Sequence, residues 1–141
     1  MFLVDANVLI YAVNASMLQH ARSQAWIEEA LNGNETVGFA WLAMLAFLRL
    51  TTLPALFPEP LETSTALGLI HEWLTARPAV VLHPTARHAS VLRGLLEQSG
   101  TAGNLVSDAH LAALSLEHNA TICTFDRDFN RFPGAKVFTP T

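Results

Sequence analysis

The sequence predicts an α/β fold with a mostly parallel central sheet flanked by helices. Three observations carry that prediction. Apolar runs at residues 2–4, 36–39, 79–82 and 121–124 are too short for helices and suit buried strands. Segments with helical spacing alternate with them. No turn signal joins two strand-like runs into a hairpin, which leaves parallel pairing through helical crossovers.

The elements follow in order. Phe2-Leu3-Val4 forms the first strand, and Val8-Leu9-Ile10-Tyr11 opens the helix after it. Residues 17–31 form a helix with Leu18, Ala21, Ala25 and Ile27 or Glu28 near helical spacing, stopped by Asn32-Gly33-Asn34. After the second strand, residues 41–50 are apolar nearly all round and read as a buried helix. Pro54, Pro58 and Pro60 make the next stretch a loop. Residues 62–76 form an amphipathic helix with Leu67, Ile70 and Leu74 inward and Trp73 beside them. Thr85 is positioned to cap a helix running to about Gln98. Gly100-Thr101-Ala102-Gly103 is a loop without the Lys-Ser/Thr ending of a phosphate-binding loop. A helix over residues 104–118 turns Val106, Ala109, Ala113 and Leu116 inward, and Lys136-Val137-Phe138 adds an edge strand.

Length and composition bound the function. The 141 residues suit one domain spanning 1–141, with no repeat or linker. Half the residues are hydrophobic and 14% are charged, which excludes disorder. The longest apolar run, residues 37–48, includes Gly38 and is too short to span a bilayer. A single cysteine, Cys123, fits a reducing compartment, and no basic leader precedes Asp5, so a cytoplasmic protein is expected. Cys123 lies inside a strand with no paired base, which argues against a nucleophilic role. The net charge of −4 excludes a domain that holds nucleic acid by a basic surface alone. It leaves open one that reaches phosphate through bound cations.

Of the twelve acidic residues only four are aspartates, and these occupy particular places. Asp5 directly follows the first strand, Asp126 follows the fourth by two residues, and Asp108 lies in the first turn of the helix that precedes the fourth strand. All three can converge on the carboxyl edge of one parallel sheet, where ligands of such sheets bind. Gathered carboxylates repel unless a cation sits between them. Hard cations such as Mg²⁺ or Mn²⁺ bind through a few carboxylates and water. The same positions equally suit turn formers and helix caps, so spacing alone leaves both readings open.

Three segments carry a family resemblance: Val4-Asp5-Ala6-Asn7-Val8-Leu9, residues 104–114 around Ser107-Asp108-Ala109, and Thr124-Phe125-Asp126-Arg127-Asp128-Phe129. In this order they resemble the signatures of PIN domains, and the whole chain resembles the VapC toxins of bacterial VapBC toxin–antitoxin modules. The resemblance implies a PIN-like fold and a Mg²⁺- or Mn²⁺-dependent endoribonuclease acting on tRNA or ribosomal RNA. It implies products with 3′-hydroxyl and 5′-phosphate ends. It also implies a homodimer restrained by a VapB-like antitoxin. Asp5, Asp108 and Asp126 match the family's catalytic and metal-binding acids, and Asn7 and Thr124 its site-ordering polar residues.

One departure stands out. The family's helix after the second strand usually carries a glutamate, where this chain has Ala46, three residues before Arg49. A subgroup pattern matched by Trp41, Leu42, Phe47, Leu48, Arg49 and Thr52 accounts for it. Asp128 would supply a replacement charge if its segment were extended, because residues i and i+2 then face the same way. His110, two residues from Asp108 on a helix, does not share its face and reads as a packing or surface residue. Arg49, Arg127 and Arg131 are candidates to meet RNA phosphate, with Arg49 equally a partner for a core carboxylate. Trp41 and Trp73 read as core. The rival class is a PIN scaffold that binds RNA or protein without cleavage. Aspartyl-phosphate enzymes and receivers fit poorly, since residues 5–7 are Asp-Ala-Asn and no aspartate follows the third strand.

Overall fold

The computed structural model describes residues 1–100 and 103–141. Its strands are β1 (Phe2–Val4), β2 (Val37–Phe39), β3 (Ala79–Val81), β4 (Thr121–Cys123) and β5 (Lys136–Phe138). Its helices are α1 (Ala6–Val13), α2 (His20–Asn32), α3 (Trp41–Thr52), α4 (Thr63–Thr75), α5 (His88–Ser99) and α6 (Val106–Glu117). Short 3₁₀ turns cover Gly103–Leu105 and Arg127–Arg131. Among the described residues the five strands form one sheet in the order β3-β2-β1-β4-β5, with every pairing parallel.

This order explains where a site can form. The chain steps from β1 out to β2 and β3, then crosses back through α5 and α6 to β4 and β5 on the other side. The reversal point is the β1–β4 neighbourhood, and at its carboxyl edge a crevice opens between diverging connections. The two crossover sets cover opposite faces. Side chains alternate along each strand, so Leu3 and Ile122 join the α5–α6 core while Val4 and Cys123 join the α1–α4 core.

Gly38 shows how tightly one face is filled. A methyl group there would lie 2.6 Å from Leu82 Cδ1 and 2.9 Å from the Phe2 carbonyl oxygen. The leucine tip can move, but the backbone of β1 cannot. Gly38→Ala is expected to lower unfolding stability by about 1–3 kcal/mol, measured as a lower urea midpoint at unchanged m-value.

The helices sit where the sequence places them, but several faces differ. In α2 the inward residues are Ser23 and Ile27, while Leu18 is 94% exposed and precedes the helix, and Ala21 and Ala25 face solvent. The His20 ring, with Nδ1 2.8 Å from the Tyr11 carbonyl oxygen, pins this start against α1. In α4 the buried stripe is Ala66, Ile70 and Trp73, leaving Leu67 exposed and Leu74 half-buried. Val106 is exposed at the start of α6, whose Leu111–Ser115 stretch is buried. α3 is not buried all round. Ala43, Met44, Phe47 and Thr51 point inward, while Trp41 and Leu45 are 45% and 56% exposed. Thr85 does not cap α5 directly: its hydroxyl accepts from the Arg87 amide in the turn before the helix. Gly100 ends α5 with φ of 74°, and the middle of the predicted 100–103 loop, Thr101 and Ala102, lies outside the described residues.

Candidate active site

The β1–α1 junction is a single residue, Asp5, which continues the ladder by donating its amide to the Cys123 carbonyl and then caps α1. Its Oδ1 accepts from the Ala6 amide at 2.7 Å. Its Oδ2 accepts from the Thr124 hydroxyl at 2.7 Å and from Asn7 Nδ2 at 3.1 Å. A carboxylate offers about four acceptor positions, so this one is oriented with capacity to spare.

Thr124, fully buried just beyond β4, ties the site together. Its hydroxyl donates to Asp5 and accepts from Asn7 Nδ2 at 3.1 Å and from the Asp126 amide at 3.0 Å, which uses all its bonding capacity. Asn7 Oδ1 in turn accepts from the Phe125 amide at 3.2 Å. The two residues read from the sequence as site-ordering therefore lock the β1 and β4 ends to each other. Thr124→Val strands two donors and loosens Asp5. We expect a loss of about 1–3 kcal/mol in stability and roughly 10–100-fold in activity, with Thr124→Ser restoring most of both, read from thermal melts and kcat/KM.

Asp108 reaches the same place from the first turn of α6. Asp5 and Asp108 line one open cleft of ≈ 630 Å³, together with Ser107 and, from α3, Leu42, Leu45, Ala46, Leu48 and Arg49. Ser107 belongs to the motif around Asp108, but the sequence assigns it no role of its own. Ala46 does face the cleft, at the level where a glutamate would have added a third acid.

The electrostatics are those of unneutralised acids. Burial pushes the Asp108 carboxyl up to about 6, and the charges of Asp126, Asp5 and Asp128 push the same way against a partial offset from Arg131. Burial also raises Asp5, outweighing the Thr124 and Ala6 hydrogen bonds, and Asp126 adds to the rise. Neither carboxylate forms an ion pair among the described residues.

The other candidates are placed less centrally. Asp126 is half-buried and does not line the cleft; its Oδ1 accepts from the Asp128 amide at 2.8 Å and caps the turn over Arg127–Arg131. That turn corrects one expectation. The segment is helical, not extended, so Asp128 does not share a face with Asp126; it is exposed and lies 3.4 Å from Arg131. Its charge acts on Asp108 only through space. His110 turns toward α5, with Nδ1 3.0 Å from His88 Nε2, while His88 Nδ1 lies 2.6 Å from Glu117 Oε2. Burial pushes the Cys123 thiol up, which keeps it neutral and unreactive.

Among the described residues no three histidine, cysteine, aspartate or glutamate side chains form a ready-made metal cage. The donor set fits a lighter grip. Two carboxylates whose protonation is favoured by burial and by neighbouring acids, Asp126 foremost, would suit Mg²⁺ or Mn²⁺, ions that keep several waters beside one or two carboxylates.

A family model for the PIN domain matches residues 2–135. The chain belongs to the PIN-domain family. Within it this PIN domain falls among the VapC proteins: it is 50% identical over 140 residues to Ribonuclease VapC37 of Mycobacterium tuberculosis, covering 99% of this chain and 97% of that one. It is 36% identical to Ribonuclease VapC33 of the same species, covering 99% and 98%. The fold matches the structure of VapBC2 from Rickettsia felis bound to a DNA fragment from its promoter, with TM-score 0.70 at 17% identity over 99% of this chain and 98% of that one. It also matches M. tuberculosis VapC20, a toxin that cleaves the sarcin–ricin loop, with TM-score 0.68 at 15% identity over 96% and 99%.

Proposed function

We propose that this PIN domain is the toxin of a VapBC-type pair, an endoribonuclease that hydrolyses RNA phosphodiesters with Mg²⁺ or Mn²⁺ bound by Asp5 and Asp108. The observation that carries this reading is the pairing of those two ion-pair-free aspartates in one cleft at the sheet's reversal point. The identity to VapC ribonucleases supports it. A bound hard cation would supply positive charge to the phosphodiester and acidify a water.

The chain's own residues do the rest. Asp5, fixed by Thr124, Asn7 and the Ala6 amide, presents an oriented oxygen. Asp108 presents a second from the start of α6, and Asp126 adds negative charge that raises the cation's attraction to both. Transfer or ribosomal RNA is the substrate class we propose, acted on in the cytoplasm. No helix among the described residues is long and apolar enough to cross a membrane.

A VapB-like antitoxin and a second copy of the chain are the proposed partners. Apolar side chains left exposed on and after α3 and on α4, namely Trp41, Leu45, Leu53, Leu56 and Leu67, support a covered surface. A second reading, a scaffold that binds without cleaving, is favoured by the alanine at position 46 and the absence of a three-ligand cage among the described residues. Incubation with a tRNA and ribosomal RNA mixture decides between them. Cleavage with Mn²⁺ that stops in EDTA supports the ribonuclease; intact RNA with Mn²⁺ supports the scaffold.

A further inference from the structure

The two walls of the cleft differ in chemistry. Asp5 and Asp108 stand on the wall made by the sheet edge and α6. The α3 wall carries no acid: it presents leucines, the Ala46 methyl and one cation, Arg49.

Arg49 is exposed, and among the described residues its guanidinium makes no hydrogen bond, ion pair or ring contact; its backbone carbonyl accepts from the Thr52 hydroxyl at 3.4 Å. Most other arginines are engaged. Arg77 donates to the Gly33 carbonyl, Arg87 to the Glu117 carbonyl, Arg93 to Glu97 and Arg131 to Asp128, while Arg22 lies over the Phe125 ring. Arg49 shares its cleft with two aspartates and is bonded to neither. One turn back, at i−3, Ala46 offers no acceptor to draw the guanidinium aside. The last turn of α3 favours a cation electrostatically, so the side chain is tolerated there without a partner.

We infer that Arg49 binds a phosphate of the RNA, so that the α3 wall of the cleft grips substrate while the opposite wall holds the cation. This rests on the ribonuclease reading. A guanidinium forks onto two phosphate oxygens in one plane, and a backbone phosphate lying between the walls would meet positive charge from both sides. The leucines around Arg49 offer an apolar surface to the adjoining sugar or base. Arg49 is thus a substrate-positioning residue, and its loss acts on substrate binding without touching the metal ligands.

The test uses the full chain. For cleavage of a labelled tRNA pool with Mn²⁺, Arg49→Ala is expected to raise KM about tenfold with kcat changed less than threefold, and Arg49→Lys to recover part of it. For binding of a labelled unstructured RNA in EDTA, the slope of log K against log salt is expected to fall by about 0.7, one phosphate contact on a single strand. Mn²⁺ affinity and melting temperature stay at the wild-type values. Unchanged KM and salt slope would overturn the inference, as would weaker Mn²⁺ binding or a lower melting temperature matching the activity loss. Unchanged RNA binding with weakened capture of a purified antitoxin would assign Arg49 to a protein contact instead. If wild type cleaves nothing, the ribonuclease reading fails by itself, and the metal-free binding arm still reports on Arg49.

Discussion

Asp5→Asn is expected to lower RNA cleavage by about 10³-fold or more while leaving the fold intact. The substitution keeps the size and shape of the side chain. The new amide oxygen still accepts from the Ala6 backbone, but the new Nδ2 faces a Thr124 hydroxyl whose two acceptor positions are taken by Asn7 and the Asp126 amide, and it meets the Asn7 amide donor to donor. The helix cap is therefore preserved, and the β1–β4 lock keeps its Asn7–Thr124 and Asn7–Phe125 bonds, so the variant still folds, at a cost read from its thermal melt. What disappears is the negative charge in the cleft, and a cation's contribution to charge stabilisation amounts to several kcal/mol, equivalent to about three decades in rate. Asp5→Ala would be less informative, because it also removes the cap, at a cost of about 1 kcal/mol. The check is kcat/KM for the two variants beside their thermal melts. An active Asp5→Asn would contradict the proposed chemistry.

The second large effect is a pH dependence of stability that metal removes. Asp108, ordinarily near 3.8, is pushed up to about 6 chiefly by burial and then by Asp126, Asp5 and Asp128. A raised carboxyl pKa means the folded chain holds a proton that the unfolded chain releases. Between about pH 4 and pH 6 the folded state therefore binds more protons, and stability falls as pH rises through that window. Asp5, also raised, acts with the same sign. Asp108 is half-exposed, so solvent screening leaves an effect of about 1–2 kcal/mol, or roughly 3–7 °C in melting temperature. In EDTA wild type should lose more melting temperature, or gain less, between pH 4.5 and pH 7 than Asp108→Asn does, a comparison that cancels the opposite contribution of His110, whose pKa burial lowers. Asp108→Asn should melt higher than wild type at pH 7, and Mn²⁺ should stabilise wild type but not the variant. The same pH dependence in wild type and Asp108→Asn in EDTA would contradict the electrostatic account of the site.

Much of this was legible in local sequence. Asp5 could be placed at a strand-to-helix junction because three apolar residues precede it and helical spacing follows. The same reasoning found Asp108 in a first turn and Asp126 just past a strand. The misreadings concern which way a helix faces. In α3, composition alone shows ten nearly unbroken apolar residues, but only tertiary packing decides that Met44 and Phe47 are covered while Trp41 and Leu45 are not. In α2 the register slipped because Ser23, a small polar residue, occupies a position the hydrophobic pattern gives no reason to bury. The condition for Asp128 to join Asp126, an extended segment, fails because the backbone closes into a turn capped by Asp126, a hydrogen bond that competes with extension. The His110–His88–Glu117 chain joins residues 22 and 29 positions apart, and no spacing rule reaches across two helices.

Calorimetric titration of Mn²⁺ into the metal-free protein at pH 7 tests most directly whether Asp5 and Asp108 hold a divalent cation. Saturable binding is expected for wild type, with affinity at least about tenfold weaker in Asp5→Asn and in Asp108→Asn. No binding to wild type at millimolar Mn²⁺, or equal affinity in all three proteins, would contradict it.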